Sequence, residues 1–108
     1  MNLAERSGLD RTFNALADPT RRAILLRLAR GPASVGELAE PFAMSLPAIS
    51  RHLKVLAEAA LIQNQRAGKG RRCQLRPEAL GSARDWLDFQ RRFWSGSFDR
   101  LDAHLKTR

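Results

Sequence analysis

The chemistry-bearing residues of this chain are cations set beside small side chains, not nucleophiles or metal ligands. Between Ser45 and Arg76 the sequence carries Arg51, Lys54, Arg66, Lys69, Arg71, Arg72 and Arg76 against a single carboxylate, Glu58. Each flanking segment, 1–44 and 77–108, has six Lys/Arg and five Asp/Glu, so +6 of the net +8 falls on this one stretch. Charge kept only for solubility would be spread evenly. Charge concentrated in this way points to a polyanionic partner, nucleic acid first. Within the stretch, Ile49, Leu53, Leu56 and Ala60 recur at the spacing of one buried helical stripe. The opposite side carries Pro47, Ala48, Arg51 and Val55, with His52 and Lys54 at its margins. A helix entering a DNA major groove needs such a face. Short side chains permit close approach, and long cationic ones reach phosphates and guanine edges. An amphipathic helix with a solvated face is the plainer alternative.

The surrounding segments are those that would position this helix. Ser45 is suited to the N-cap and Pro47 to the first turn, where no intrahelical hydrogen bond is lost. Upstream, Ser34-Val35-Gly36-Glu37 has the form of a capping box opening a short helix that ends near Pro41. Phe42-Ala43-Met44 is then the turn, giving two helices joined by three or four residues, the helix-turn-helix pattern. Downstream, Ile62–Arg66 and Arg71–Leu75 read as two short strands around Ala67-Gly68-Lys69-Gly70, whose glycines permit a hairpin turn. Ile62, Cys73 and Leu75 would pack inward while Arg66, Lys69, Gly70, Arg71 and Arg72 form a cationic tip, a wing placed for phosphate.

The ends of the chain supply the scaffold. Residues 1–8 read as a flexible tail, and Leu9, Phe13, Leu16 and Ala17 as a short first helix stopping at Asp18-Pro19. Asp18 would cap a second helix beginning at Pro19 and running to about Arg30, with Ile24, Leu25 and Leu28 inward and Arg21, Arg22, Arg27 and Arg30 in water. A final helix is expected over about 82–105. It holds five of the seven aromatic residues, and its apolar band of Trp86, Leu87, Phe93, Trp94, Phe98, Leu101 and Leu105 is too broad for so small a domain to cover. Gly96 should weaken it by about 1 kcal/mol relative to alanine. The expected fold is mainly α with a small β-hairpin wing, one domain over 9–108.

Several function classes lack support. No run approaches the ~18 apolar residues of a membrane span, and Met1 to Asp10 has no signal-peptide block. A single cysteine, Cys73, forms no internal disulfide and fits a reducing cytoplasm. Its simplest role is that of a small buried strand residue, a redox role being the other reading. Cys73, His52 and His104 lie on separate elements and do not space as a ligand set, so no metal or cofactor is expected. There is no glycine-rich phosphate loop and no nucleophile beside a histidine, so an enzyme is not expected. Asp85, Asp88, Asp99 and Asp102 alternate with arginines as on a solvated helix face. No aromatic platform for stacking RNA bases is evident. Two readings remain: a DNA-binding protein, or a winged-helix module whose basic hairpin meets an acidic protein.

Leu16-Ala17-Asp18-Pro19-Thr20-Arg21-Arg22-Ala23-Ile24-Leu25, then Glu37-Leu38-Ala39, then Ser45 to Leu56, closely resemble the ArsR family of bacterial winged helix-turn-helix repressors. The likeness covers about residues 9–105. It implies a homodimer joined through the first and last helices, which sets Leu9, Phe13, Leu87, Trp94, Phe98, Leu101 and Leu105 at the junction. It also implies double-stranded promoter DNA, an imperfect palindrome, as partner. Family contacts map onto Ser45, Leu46, Ala48, Ser50, Arg51 and His52 of the reading helix, with Pro47 and Lys54 on the same face, and onto Lys69, Arg71 and Arg72 of the wing. Metal-sensing members carry Cys-x-Cys on the third helix or Asp/His/Glu ligands on the last. This chain has no cysteine or histidine on the third helix and one histidine on the last, so a small-molecule effector of unidentified chemistry is among the signals left open. Ala60 stands where the family usually has glycine.

Overall fold

The computed structural model describes the backbone of residues 3–68 and 70–106, and the side chains of these except 3–7, 67, 97–99 and 101–106. Among the described residues, five helices and a two-stranded hairpin follow in the order α1 (Leu3–Leu16), α2 (Pro19–Leu28), α3 (Val35–Ala39), α4 (Leu46–Glu58), β1 (Ile62–Ala67), β2 (Gly70–Leu75), a 3-10 turn (Pro77–Ala79) and α5 (Leu80–Lys106). The first helix begins six residues before the expected Leu9, so residues 3–8, expected as a tail, are helical. Leu3-Ala4-Glu5-Arg6 are all strong helix formers, and the helix runs on through Gly8 to Leu16. Similarly α5 starts at Leu80 rather than near Ser82 and continues through Gly96.

Local chemistry sets most of the boundaries. The Asp18 carboxylate accepts the Arg21 amide at 3.0 Å and Pro19 opens α2. Ser34 Oγ accepts the Glu37 amide at 3.1 Å, and the Glu37 carboxylate accepts from the Ser34 hydroxyl at 3.2 Å, so side chain and cap hold one another at the start of α3. Arg27 of α2 reaches Glu37 at 3.4 Å, tying those two helices together. Gly31, at φ 139°, turns the chain away from α2.

The core lies where α2, α3 and α4 meet the base of the hairpin. Ile24, Leu38, Ile49, Leu56, Leu61 and Cys73 are its fully buried large side chains. Burying a Leu or Ile contributes about 1.5–3 kcal/mol each, so this junction holds the unit together. The strands pair antiparallel, Ile62 opposite Leu75 through Ala67 opposite Gly70. One feature had no local signal: Ala33, in the α2–α3 loop, exchanges two backbone hydrogen bonds with Cys73 at 3.1 and 2.8 Å. The root of the hairpin is thereby fastened to the helical layer. α1 and α5 pack on one another through Phe13 and Trp86, whose rings meet edge to face at 5.5 Å and 70°.

Candidate nucleic-acid interface

Helix α4 is seated by one side and open on the other. Ser45, extended at φ −71° and ψ 157°, caps it by accepting the Ala48 amide at 3.3 Å. Ile49, Leu53 and Leu56 are buried beneath it. Ser45, Leu46, Pro47, Ser50, Arg51 and Lys54 are exposed, Leu46 at 55%, and Ala48 is half-buried. Small, apolar and cationic groups therefore share the open side, with a helix N-terminus at one end whose unpaired amides favour anions.

Two expectations for this helix are corrected. Val55 is half-buried against the core and not part of the open face. Ala60 is exposed and not part of the buried stripe, which ends at Leu56; Ala59 and Leu61 are buried on either side of it. Ala60 instead takes φ 59°, and its amide donates to Ala57 carbonyl at 2.9 Å while the Leu61 amide donates to Leu56 at 3.0 Å. This is the Schellman closure of a helix, the conformation glycine favours, kept here by alanine. It redirects the chain from α4 into β1, so the wing leaves the helix at the angle this closure sets.

His52, expected among the DNA contacts of this helix, also meets residues at the start of α2. Its ring is half-buried, with Nδ1 accepting from Arg21 Nη1 at 3.3 Å and lying 3.9 Å from Asp18 Oδ2. Arg21, expected in water, donates from Nε to Ala15 carbonyl at 2.8 Å and from Nη2 to Asn14 carbonyl at 2.8 Å. One guanidinium thus satisfies two carbonyls at the end of α1 and grips a side chain of α4. His52 is turned toward this cluster, away from the open face on which Arg51 and Lys54 stand. The Arg21 amide, with help from the Arg21 guanidinium, holds the Asp18 carboxyl below its usual 3.8 against a smaller opposing effect of burial. Sequence reasoning missed Arg21 because its partner is 31 residues away. The only sign was its place in the Asp18-Pro19-Thr20-Arg21 run.

In the wing, Arg66, Gly70, Arg71 and Arg72 are exposed, and Gly68 bends the turn at φ 62°. Lys69 lies outside the described residues. Arg66 and Arg71 stand directly opposite one another. Like charges in that position repel, and an anion between them would relieve the repulsion. Farther down, Cys73 is buried, its thiol donating to Asn64 Oδ1 at 3.2 Å, and burial pushes the thiol pKa up. Among the described residues no three His, Cys, Asp or Glu gather.

The residues expected at a dimer junction divide. Leu9 is closed within its own chain at 8% exposure, and Phe13 is half-buried against Trp86. Leu87 and Trp94 are open, as are Phe89 and Phe93, so the exposed aromatic surface lies on α5. The side chains of Phe98, Leu101 and Leu105 lie outside the described residues.

Comparison with known proteins agrees with this geometry. Residues 16–63 match the family model described as a helix-turn-helix domain. The HTH-type transcriptional regulator Rv2034 of Mycobacterium tuberculosis is 52% identical over 86 residues, 80% of this chain and 78% of that protein. The transcriptional repressor SdpR of Bacillus subtilis is 37% identical over 79 residues, 73% of this chain and 88% of that one. A crystal structure of an ArsR family transcriptional regulator superposes with a TM-score of 0.75 at 40% identity, covering 88% of this chain and 95% of that one. A homodimeric winged helix-turn-helix DNA-binding domain from Mycobacterium bovis gives 0.66 at 26% identity, with 83% and 85% covered. Helix-turn-helix, wing and long terminal helix thus occur together in a chain with relatives this near, and it belongs to the ArsR family of winged helix-turn-helix transcriptional regulators.

Proposed function

We propose that this protein is a sequence-specific repressor of transcription that binds a palindromic operator as a homodimer in the bacterial cytoplasm. The observation that carries the reading is the open side of α4, where Arg51 and Lys54 stand beside Ser45, Leu46, Pro47, Ala48 and Ser50. Such a surface fits a major groove. Arg51 takes a guanine edge or a phosphate, and Leu46 and Ala48 meet thymine methyls. Arg66, Lys69, Arg71 and Arg72 of the wing neutralise phosphates nearby, which positions the helix without specifying sequence. His52 serves the site by fixing α4 and makes no base contact. Repression and homodimerisation are supported by a relative named as a repressor and a solved neighbour described as homodimeric. Two-fold symmetry then sets two α4 helices about one turn of DNA apart, on the order of 34 Å. No catalytic role is assigned. The test is selection of bound fragments from genomic DNA, followed by binding to the enriched sequence and to random duplex over a salt titration. A preference of about a thousandfold or more is expected. Equal affinity for both would overturn the reading.

A further inference from the structure

The apolar bowl beside the wing root is open, lies away from the α4 face, and has no part in the interface described above. It has a volume of about 340 Å³ and is formed by the end of α1, the outer side of α2, the ends of the hairpin and the start of α5. Leu25, Leu26, Leu75 and Leu80 supply apolar walls, and Arg22 and Arg76 stand among the lining residues. Leu26 is 74% exposed, an unusual position for a leucine on a helix whose other leucines are buried or half-buried. The size is at the lower end of small-molecule sites, roughly 300–1,000 Å³.

The two arginines choose the occupant. Arg22 Nη1 donates to the Leu16 carbonyl at 2.8 Å, which sets the guanidinium beside Leu16 at the edge of an otherwise apolar bowl. Arg76 has one described acidic neighbour, Glu78, at 4.0 Å, and both are exposed. An ion pair so long and so open contributes little and yields readily to a closer anion. A molecule with an apolar tail and one carboxylate head would bury the tail against the leucines and present the head to guanidiniums, whose planar fork suits a carboxylate. We propose that this bowl is a binding site for an amphipathic monocarboxylate, of the fatty-acid or aryl-alkanoate kind. The walls belong to α2, to the wing root and to α5, so an occupant that fits one spacing of these elements shifts the population of conformations in which wing and α5 are so arranged. Its role as an effector rests on the DNA-binding reading above; its binding does not.

Calorimetry on the intact protein, below the micelle concentration, separates the possibilities with three probes: sodium decanoate, decanol and sodium acetate. Decanoate binds, decanol binds at least tenfold more weakly, and acetate shows no binding. The double variant Arg22→Gln, Arg76→Gln loses about tenfold for decanoate and none for decanol, and Leu26→Glu abolishes decanoate binding while circular dichroism stays native. Decanoate and decanol binding alike would mean a merely greasy surface and overturn the proposal. So would decanoate binding indifferent to the arginine pair, which would place the fatty acid on the aromatic side of α5. Failure to bind in a verified dimer would mean that a second copy covers the bowl, and overturns it as well. If decanoate binds as expected but leaves operator affinity unchanged, the site stands and its effector role falls; if no operator exists, calorimetry still reports the site.

Discussion

Single residues carry several properties that averages over the chain conceal. Ala60 holds a left-handed conformation that costs an L-residue roughly 1 kcal/mol relative to glycine. Ala60→Gly should therefore raise unfolding stability by about 1 kcal/mol, less some tenths for the freer unfolded chain, read as a shift in denaturation midpoint at unchanged slope. A loss of stability would show that the closure is not strained. Asp18 offers a pH test. Its folded pKa lies below the unfolded value, so the stabilisation is present above the ordinary 3.8 and is lost as pH falls through the lower folded value. Asp18→Ala should cost about 1 kcal/mol at pH 7 and progressively less toward pH 3; a deficit constant with pH would mean that the charge does not contribute. His52 and Arg21 form a strut between α1 and α4. His52→Asn, which keeps an acceptor near Nδ1, should retain operator affinity, whereas His52→Leu should lose about tenfold on operator DNA and little on random duplex. Equal losses from both changes would return His52 to the list of direct DNA contacts.

At the scale of elements, α4 and the hairpin divide one task between them. α4 is capped by Ser45, seated by three buried residues and joined rigidly to β1, so Arg51 is held on a fixed frame. The wing tip is cationic on both strands and stands clear of the core, although its root is fastened through Ala33 and Cys73. Position and specificity should thus separate by mutation. Arg51→Ala should reduce discrimination between operator and random DNA by about 1–3 kcal/mol. Arg71→Ala should weaken binding to all duplexes and lower the salt dependence by about one counterion. Fluorescence anisotropy at four salt concentrations reads both quantities, and identical profiles for the two variants would contradict this division.

The whole molecule is too open for a chain of 108 residues standing alone. Its radius of gyration is 18.6 Å, whereas a compact chain of this length has about 13 Å. Its accessible surface is 8072 Å², about 2,000 Å² more than the ~6,000 Å² expected for a 12 kDa monomer. α5, over 27 residues, reaches about 40 Å and shows Leu87, Phe89, Phe93 and Trp94 to solvent. A second copy laid along that helix would cover it. Trp94→Glu should give a monomer in sedimentation velocity at micromolar concentration, with native helical circular dichroism and at least a hundredfold loss of operator affinity. A dimer that survives this change would move the interface elsewhere.

Much of this was legible in the residues themselves, because the rules involved are local. Asp18-Pro19, Ser34 with Glu37, and Ser45 with Pro47 each mark a helix start within four residues, and the count of charges alone found the basic stretch and its two-stranded tip. The exposed aromatic side of the last helix was readable for the same reason, since periodicity is a property of one element. What the sequence could not show is which side chains meet across distance. It set His52 beside Arg51 on one helix, but whether the ring turns outward or toward Arg21 depends on α1 ending where its carbonyls need a donor. It set Leu9 on an apolar face, yet only packing against the rest of the chain decided that this face is already closed. The Ala33–Cys73 pairing and the bowl between α2, the wing root and α5 likewise come from segments brought together by the buried core. Local conformational preference chooses the elements, and the burial of their apolar sides chooses their neighbours.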